Sequence, residues 1–411
     1  MTSVYLRFAS EICPCATQWI HSNFRPDRFY SDMLARKNHE LPRDSHGYVV
    51  GFPCQPWSFL SSKNKAWKDP RARVVSSMLS SFMAMMPFWG IFENVFGLQR
   101  YMTKFKAVCA SYGVFEKYHM CIIPLCPFVT LGEPCRRKRL YICLIRRDVI
   151  FSPAALLQRQ MIEALVRAAA KSEQVPLTSL LPRTAPKASL PPRGEAVVAS
   201  LLRRKGGSVD LPLVVDVSQS VGWAASGRGV APCLTTSSRL VVANGQTDVR
   251  VISARTKLAL QGMPVEKYIV PSSIPDTTLH KLCGNSMHTG CMSMALLICF
   301  SLIDWRKAAS ADPIQLGMGS LPRTLPLCWG SLKEILHGKM MKTRGTKRKR
   351  KVKQDQQVSR KTASKQSNTA VVSKTGSKRP KKVTGRPCCS KGKPICSVAN
   401  MMLEPLVSPL F

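Results

Sequence analysis

The feature that most restricts the fold is an alternation across residues 1–147. Short apolar runs (VYLRFAS from Val4, YVVGF from Tyr48, WGIFENV from Trp89, RLYICLI from Arg139) are separated by polar turns and by segments of helical length such as Ala72 to Met86. Runs this short and this apolar suit strands buried on both faces. Their interleaving with helical segments predicts an α/β architecture with a parallel sheet. The pattern changes after Ser152. An amphipathic helix is predicted over Ala154 to Lys171, and TSLLPRTAPKASLPPRGE then has no period, as expected of a loop-rich second lobe. Strand-like runs return at LPLVVDV, SRLVVANG and VRVIS, followed by predicted helices near Ala254 to Gln261 and from Gly290 onward. The most apolar stretch, Met292 to Ile303, is too short to span a bilayer and reads as a buried helix, so no membrane is expected as partner.

Charge narrows the function. The 411 residues carry 61 Lys and Arg against 23 Asp and Glu, a formal charge of +38. Such an excess implies a polyanionic partner, nucleic acid before an anionic membrane surface. About half of it lies between Lys342 and Lys393, where Asp355 is the one acid. That segment has too little apolar surface to offset the entropy of ordering and is expected to be disordered. Within it TRGTKRKRKVK, Thr343 to Lys353, reads as a nuclear localisation signal and as a nonspecific DNA arm. The sixteen cysteines are scattered, follow no secretory leader and show no C-x-x-C spacing, which predicts a reducing compartment and no metal.

Three strand-edge segments carry chemistry. GFPCQPWS, Gly51 to Ser58, follows an apolar run and places Cys54 in a loop at a strand's carboxyl end, where open α/β sheets bind ligands. Pro53 and Pro56 stiffen that loop, which suits a nucleophile. A lone cysteine is more often a buried structural thiol. Its neighbours change that reading. WGIFENV sets Glu93 and Asn94 after the next strand, and GEPCRRKRLYI sets Arg137 and Arg139 on one face ahead of another. A thiol, a carboxylate and paired guanidinium groups together can bind and activate a pyrimidine.

In this order PCQ, ENV and the RxR element resemble the cytosine-C5 DNA methyltransferase family, over about 300 residues. The resemblance implies a Rossmann-like sheet dependent on S-adenosylmethionine, with a smaller target-recognition lobe. It implies that Cys54 attacks C6 of a cytosine, that Glu93 engages N3, and that Arg137 or Arg139 holds O2 and orients the glutamate. Because C5 and C6 lie within the duplex stack, the base must be flipped out. FASEIC and YSDM extend the likeness: Glu11 and Asp32 resemble acids that hold the cofactor's ribose and adenine, and Pro53 and Asn285 complete the implied cofactor set. APCLTTSS, RVISARTKLALQGMP and LCGNSMHTG continue it, with Arg250, Gln261, Gly262 and Gly284 in family positions. The implied division is a catalytic core over 1–147, a recognition lobe over 148–249, a returning core segment over 250–308 and a basic tail over 309–411. Arg147, Arg159, Arg167, Arg183, Arg193, Arg203, Arg204 and Lys205 are the basic residues that the lobe offers to phosphates or bases.

The sequence also departs from the family. Cys135 stands where Gln is usual and Thr256 where Glu is usual. The glycine-rich turn that normally opens the family precedes nothing here, so the sheet is expected to lack its first strand. Four readings follow. They are a DNA methyltransferase whose sequence lacks its amino terminus, an enzyme completed by a second polypeptide, a DNA-binding homologue without activity, and a methyltransferase of transfer RNA.

Overall fold

A computed structural model describes residues 5–59, 65–151, 155–170, 174–181, 187–205, 211–245 and 247–311. The basic segment with its localisation-like run lies outside the described residues.

The first strands are short. β1 (Phe8–Ser10) pairs in parallel with β2 (Arg28–Tyr30) through α1 (Pro14–Asn23), a right-length crossover that begins on a proline whose missing N–H costs nothing at that position. β3 (Gly47–Gly51) leads into the Cys54 loop and α2 (Val74–Met85), and β4 (Trp89–Val95) lies parallel to β3. In α2 the buried Val75, Met78, Leu79, Phe82 and Met85 recur at helical spacing. Met86 then turns left-handed at φ 50° and Pro87 ends the element.

After α3 (Met102–Ser111) and α4 (Val114–Lys117) come β5 (Tyr118–Leu125) and β6 (Arg139–Arg146). The second sheet runs β3-β4-β6-β5, and β6 is antiparallel to both neighbours. The parallel expectation thus holds for β1–β2 and β3–β4 and fails at β6. The physical reason is the connection: only a five-residue helical turn, Pro127–Leu131, separates β5 from β6, too short for a crossover, so the chain folds back as an antiparallel pair. β5 escaped the sequence reading because His119 and Pro124 break its apolar run. As the outer strand it tolerates the proline.

The lobe is more regular than its composition suggests. α5 (Ala155–Ala169) occupies the predicted helix. α6 (Pro192–Lys205) begins inside the stretch expected to be loop, with proline at its start and Glu195 in its first turn. An antiparallel sheet follows, ordered β10-β9-β7-β8, from β7 (Leu213–Asp216), β8 (Ser226–Arg228), β9 (Leu240–Ala243) and β10 (Val249–Val251). Alternation assigns its faces. Leu213, Val215, Val241 and Ala243 pack with Val197, Val198 and Leu201 of α6, while Val214, Leu240 and Val242 pack with Leu177, Leu234, Ile252 and Cys135. Each fully buried Val or Leu there contributes roughly 1.5–3 kcal/mol.

The chain returns through α7 (Ala254–Ala259), α8 (Asp276–Asn285) and α9 (Thr289–Leu302), which packs on β4 and β6. α10 (Trp305–Ala311) carries helix into residues 309–311, where the irregular tail was expected to begin. Around β3, β4 and β6 the core is aromatic: Tyr48, Phe52, Phe82, Phe92, Phe105 and Tyr118 are buried together, and Phe52 stacks on Phe105 at 6.0 Å. This rigid layer carries the Cys54 loop.

Candidate active site

The site grows from the carboxyl ends of β3 and β4. Past Gly51 the chain enters Phe52 and Pro53, both buried, and turns at Cys54, whose carbonyl accepts the N–H of Trp57 at 3.0 Å. Two devices fix this turn. The Asn94 side chain, 1% exposed, donates to the Phe52 carbonyl at 3.0 Å and accepts from the N–H of Val95 at 2.9 Å, tying β4 to the loop. Gly97 lies so close to the Trp57 carbonyl that a Cβ there would sit 2.0 Å from it, so glycine is required. The sequence reading put Glu93 and Asn94 beyond their strand. They lie in its last turn of pleat, with Glu93 registered opposite Gly51 and Tyr141.

The paired arginines separate into two jobs. Arg139 opens β6, and its Nε lies 3.3 Å from Glu93 Oε1, both side chains being 12% exposed. Its Nη1 and Nη2 each lie 3.7 Å from Cys233 Sγ. Arg137, 3% exposed, turns away to carbonyls: Leu234 at 2.6 Å, Gly284 at 3.1 Å and Ser286 at 2.7 Å. A cation at the carboxyl end of α8 answers carbonyls that the helix cannot pair itself. Gln261 adds to the clasp, donating to Cys283 at 2.8 Å. Gly284 permits the approach, since a Cβ there would meet the Thr235 and Thr236 backbone at 2.3 Å.

One cavity is lined by Pro53, Cys54, Glu93, Arg137, Arg139 and Asn285, together with Gln55, Val95 and Met287. Six of the eight residues singled out in the sequence therefore meet. Glu11 and Asp32 are not among its lining residues. They follow β1 and β2, whose paired ends Ser10 and Tyr30 bring the two acids to the same edge. Glu11 is buried and accepts the Cys13 N–H at 2.8 Å at the start of α1, and Asp32 accepts from Leu34 at 2.8 Å. A separate depression is bordered by Arg7, Asp27, Arg28 and His39 and has no cysteine in its lining.

Burial governs the protonation of this cavity. It raises the Cys54 thiol above its ordinary range, Arg139 and Arg137 opposing the rise and Glu93 adding to it. Burial likewise raises the Glu93 carboxyl, against the pull of Arg139 and then Arg137. A raised carboxyl can hold a proton to donate, and a raised thiol must lose one before it attacks. Cys135, at the position where Gln was expected, is fully buried and its thiol is pushed up to about 12 by burial, as befits packing. Thr256 bonds to the Ser253 side chain that caps α7.

Residues 1–294 match the model of the C-5 cytosine-specific DNA methylase family. The chain belongs to this family. S-adenosylmethionine is the cofactor of these methylases, and the carboxylates of Glu11 and Asp32, which follow the paired ends of two parallel strands, are of a type that fits a nucleoside's hydroxyl and amino groups. Among characterised methylases, the type II methyltransferase M.HgiCII of Herpetosiphon aurantiacus is 43% identical over 60 residues, 14% of this chain and 13% of that enzyme. The match therefore spans a small part of its length. Among solved structures, Dnmt2 of S. pombe matches at 15% identity and a TM-score of 0.49, covering 72% of this chain and 88% of that one. The Entamoeba histolytica methyltransferase EhMeth matches at 14% and 0.48, covering 73% and 91%.

Some site residues went unread in the sequence. Cys233 gave no signal beyond its place in APCLTTSS, and Gln55 lay within the quoted loop without a role. Of the lobe's basic residues, Arg159 pairs with Glu163 at 3.0 Å, Arg147 donates to Phe115 and Arg204 to Val221, while Arg193 and Arg203 are exposed. Arg183 and the Lys205 side chain lie outside what is described. Among the described residues no cluster of potential metal ligands occurs, and no helix is long and apolar enough to cross a membrane.

Proposed function

We propose that this chain is a DNA cytosine-C5 methyltransferase acting through a covalent Cys54 adduct. The observation that carries the reading is the convergence of Cys54, Glu93 and Arg139 on one cavity, with the glutamate held by the arginine at 3.3 Å.

Cytosine C5 is a weak nucleophile until C6 is attacked. Cys54 gives up its proton and its sulfur bonds to C6, which pushes electron density to C5. Glu93, with its carboxyl raised by burial, supplies a proton at N3 to offset the charge that develops there. Arg139 keeps that carboxyl oriented and offers its guanidinium to O2. S-adenosylmethionine, held by Glu11 and Asp32 with Pro53 and Asn285 at the cavity side, supplies the methyl group when bound. Loss of the C5 proton then lets the sulfur leave C6. Since C5 and C6 lie within the duplex stack, the target base reaches Cys54 only when flipped out of the duplex. The positive charge of +38 favours a nucleic acid as the partner, and the basic run from Thr343 to Lys353 favours the nucleus as the place.

A second arrangement has its own support. β1 and β2 are bonded to each other, and β3 is bonded to β4, as two separate sheets joined by side chains such as Phe8 and Tyr48, whose rings lie 6.1 Å apart. A strand supplied by a second polypeptide would bridge them and complete the donor side.

One experiment tests both. Duplex DNA containing 5-fluorocytosine, incubated with the full chain and S-adenosylmethionine, traps a stable adduct on Cys54, because fluorine cannot leave C5 as the proton does. Transfer RNA carrying the same base serves as the competing substrate. An adduct on DNA supports the proposal. An adduct confined to transfer RNA overturns the DNA assignment, and none with either, even after a donor-side partner is supplied, overturns the enzyme.

A further inference from the structure

Cys233 is a thiol that the reaction does not use, yet it stands against the arginine that the reaction needs. It is half-buried on the APCLTTSS segment between β8 and β9. Both terminal nitrogens of Arg139 lie 3.7 Å from its sulfur, while Nε of the same guanidinium meets Glu93 at 3.3 Å. The arginine is thus held by two elements distant in sequence, and Nη1 also donates to the neighbouring Lys138 carbonyl at 2.9 Å. Glu93 on β4 holds the edge that carries Nε, and Cys233 holds the opposite fork.

A guanidinium fork presents two parallel N–H groups to one acceptor, an arrangement that usually meets a carboxylate or phosphate. A neutral thiol is a weak acceptor and a poor match for it. The charged groups that face Cys233 are Arg139 and Arg137, and the other titratable group is the buried Cys135 thiol. The sulfur also lies 3.7 Å from the Leu234 carbonyl, to which a thiol could donate. That oxygen already accepts Arg137 at 2.6 Å, which makes it a poorer acceptor for the thiol proton.

We propose that Cys233 is a positioning residue of the base pocket, working as a thiolate that locks the plane of the Arg139 guanidinium so that its Nε edge stays on Glu93. The inference rests on the base-pocket reading of Glu93 and Arg139, but its charge state does not. Burial alone would raise the Cys233 thiol. Arg139 and Arg137 outweigh it and hold the thiol below its ordinary range, the reverse of what happens at Cys54. The pocket therefore shifts its two half-buried thiols in opposite directions, Cys54 towards the protonated form and Cys233 towards the thiolate.

The test separates the two layers. In the full chain, iodoacetamide labelling followed by peptide mass spectrometry gives the rate at each cysteine against pH. Cys233 is expected to show a midpoint below that of an ordinary thiol and Cys54 one above. Each unit between them is about a tenfold difference in thiolate fraction, partly offset because a less basic sulfur is less nucleophilic. Arg139→Gln is expected to move the Cys233 midpoint upward. A Cys233 midpoint at or above the ordinary value, or one that Arg139→Gln leaves in place, overturns the proposal, whether or not the chain methylates DNA.

The second layer uses activity. Cys233→Ala is expected to lower kcat at least about tenfold with little change in KM for DNA, and Cys233→Asp, which restores an anion opposite the fork, to recover part of that loss. Cys233→Ser, closest in size, is the control for folding. Equal loss in all three variants would assign Cys233 a packing role alone. Absence of any Cys54 adduct in the wild-type chain would instead break the base-pocket reading and leave the labelling result standing.

Discussion

The edge formed by β3, β4 and β6 and the edge formed by β1 and β2 are built on different principles. On the base side each polar group is held by a distant part of the chain. Arg139 meets Glu93 and Cys233, Arg137 gathers three carbonyls from two segments, and Asn94 binds the loop before Cys54. On the donor side the Glu11 main chain is tied to Tyr30 of the neighbouring strand, while the carboxylates of the two acids accept N–H groups of their own turns, Glu11 from Cys13 and Asp32 from Leu34. A group fixed by long-range contacts is preorganised by the fold, and its geometry needs no ligand. A group fixed by its own turn is positioned only as well as that turn is. The base pocket should therefore resist rearrangement, and the donor side should tighten when cofactor binds.

The largest effect expected is at Cys54. Cys54→Ser should abolish the 5-fluorocytosine adduct altogether while leaving the unfolding midpoint in urea close to that of the wild type, since among the described residues its side chain makes no long-range hydrogen bond. An adduct that persists would move the nucleophile elsewhere and with it the whole base-side assignment.

Next is the contrast between the two arginines. Arg137→Ala strips three carbonyls, on Leu234, Gly284 and Ser286, of a buried charged donor. It should destabilise the chain by about 3 kcal/mol or more, because hydrogen bonds to charged groups contribute about 1.5–3 kcal/mol each and orphaned buried carbonyls cost further. Arg139→Ala should cost distinctly less stability but most of the methylation rate. Urea titration and a methyl-transfer assay on both variants decide it, and equal stability losses would erase the division of labour drawn between them.

A smaller effect is expected at Glu11. Glu11→Ala removes the acceptor for the Cys13 N–H at the start of α1, worth about 1 kcal/mol by analogy with a lost helix cap. It should also weaken binding of S-adenosylhomocysteine by roughly tenfold, about the 1.4 kcal/mol of one lost hydrogen bond. Calorimetry with that product would show it. Unchanged affinity would take Glu11 out of the donor site and leave it a capping residue.

Much of this arrangement could be read from the sequence where residue type and strand position coincide. Cys54, Glu93 and Arg139 sit at the ends of apolar runs, and apolar runs are the strongest signal of strands, so their convergence followed from the fold. The split between Arg137 and Arg139 could not be read, because alternation along a strand assigns faces but not partners, and the carbonyls that claim Arg137 come from 97 and 149 residues away. α6 was hidden for a different reason. Its first residues, PRGE, carry the proline and arginine that composition assigns to loops, while its helical face shows only against β7 and β9. The antiparallel β6 was missed because direction depends on the connection between strands, and an apolar run reads alike in either direction.

The subtlest prediction concerns Glu93 and pH. Burial raises its carboxyl in the folded chain above the value of about 4.3 that an unfolded chain would show. Between those two values the folded state binds the proton and the unfolded state does not, so the contribution of Glu93 to stability is fully present below the unfolded value and is lost as pH rises through the folded one. Had the ion pair with Arg139 dominated, the carboxyl would be lowered and the slope reversed. Urea unfolding of wild type and Glu93→Gln, compared from pH 4 to pH 7.5, isolates this group, since every other carboxylate is common to both. The wild type should lose stability relative to the glutamine variant as pH rises. A gain instead would mean that Glu93 is held as a carboxylate by Arg139, and the proton it is to place on N3 would have to come from elsewhere.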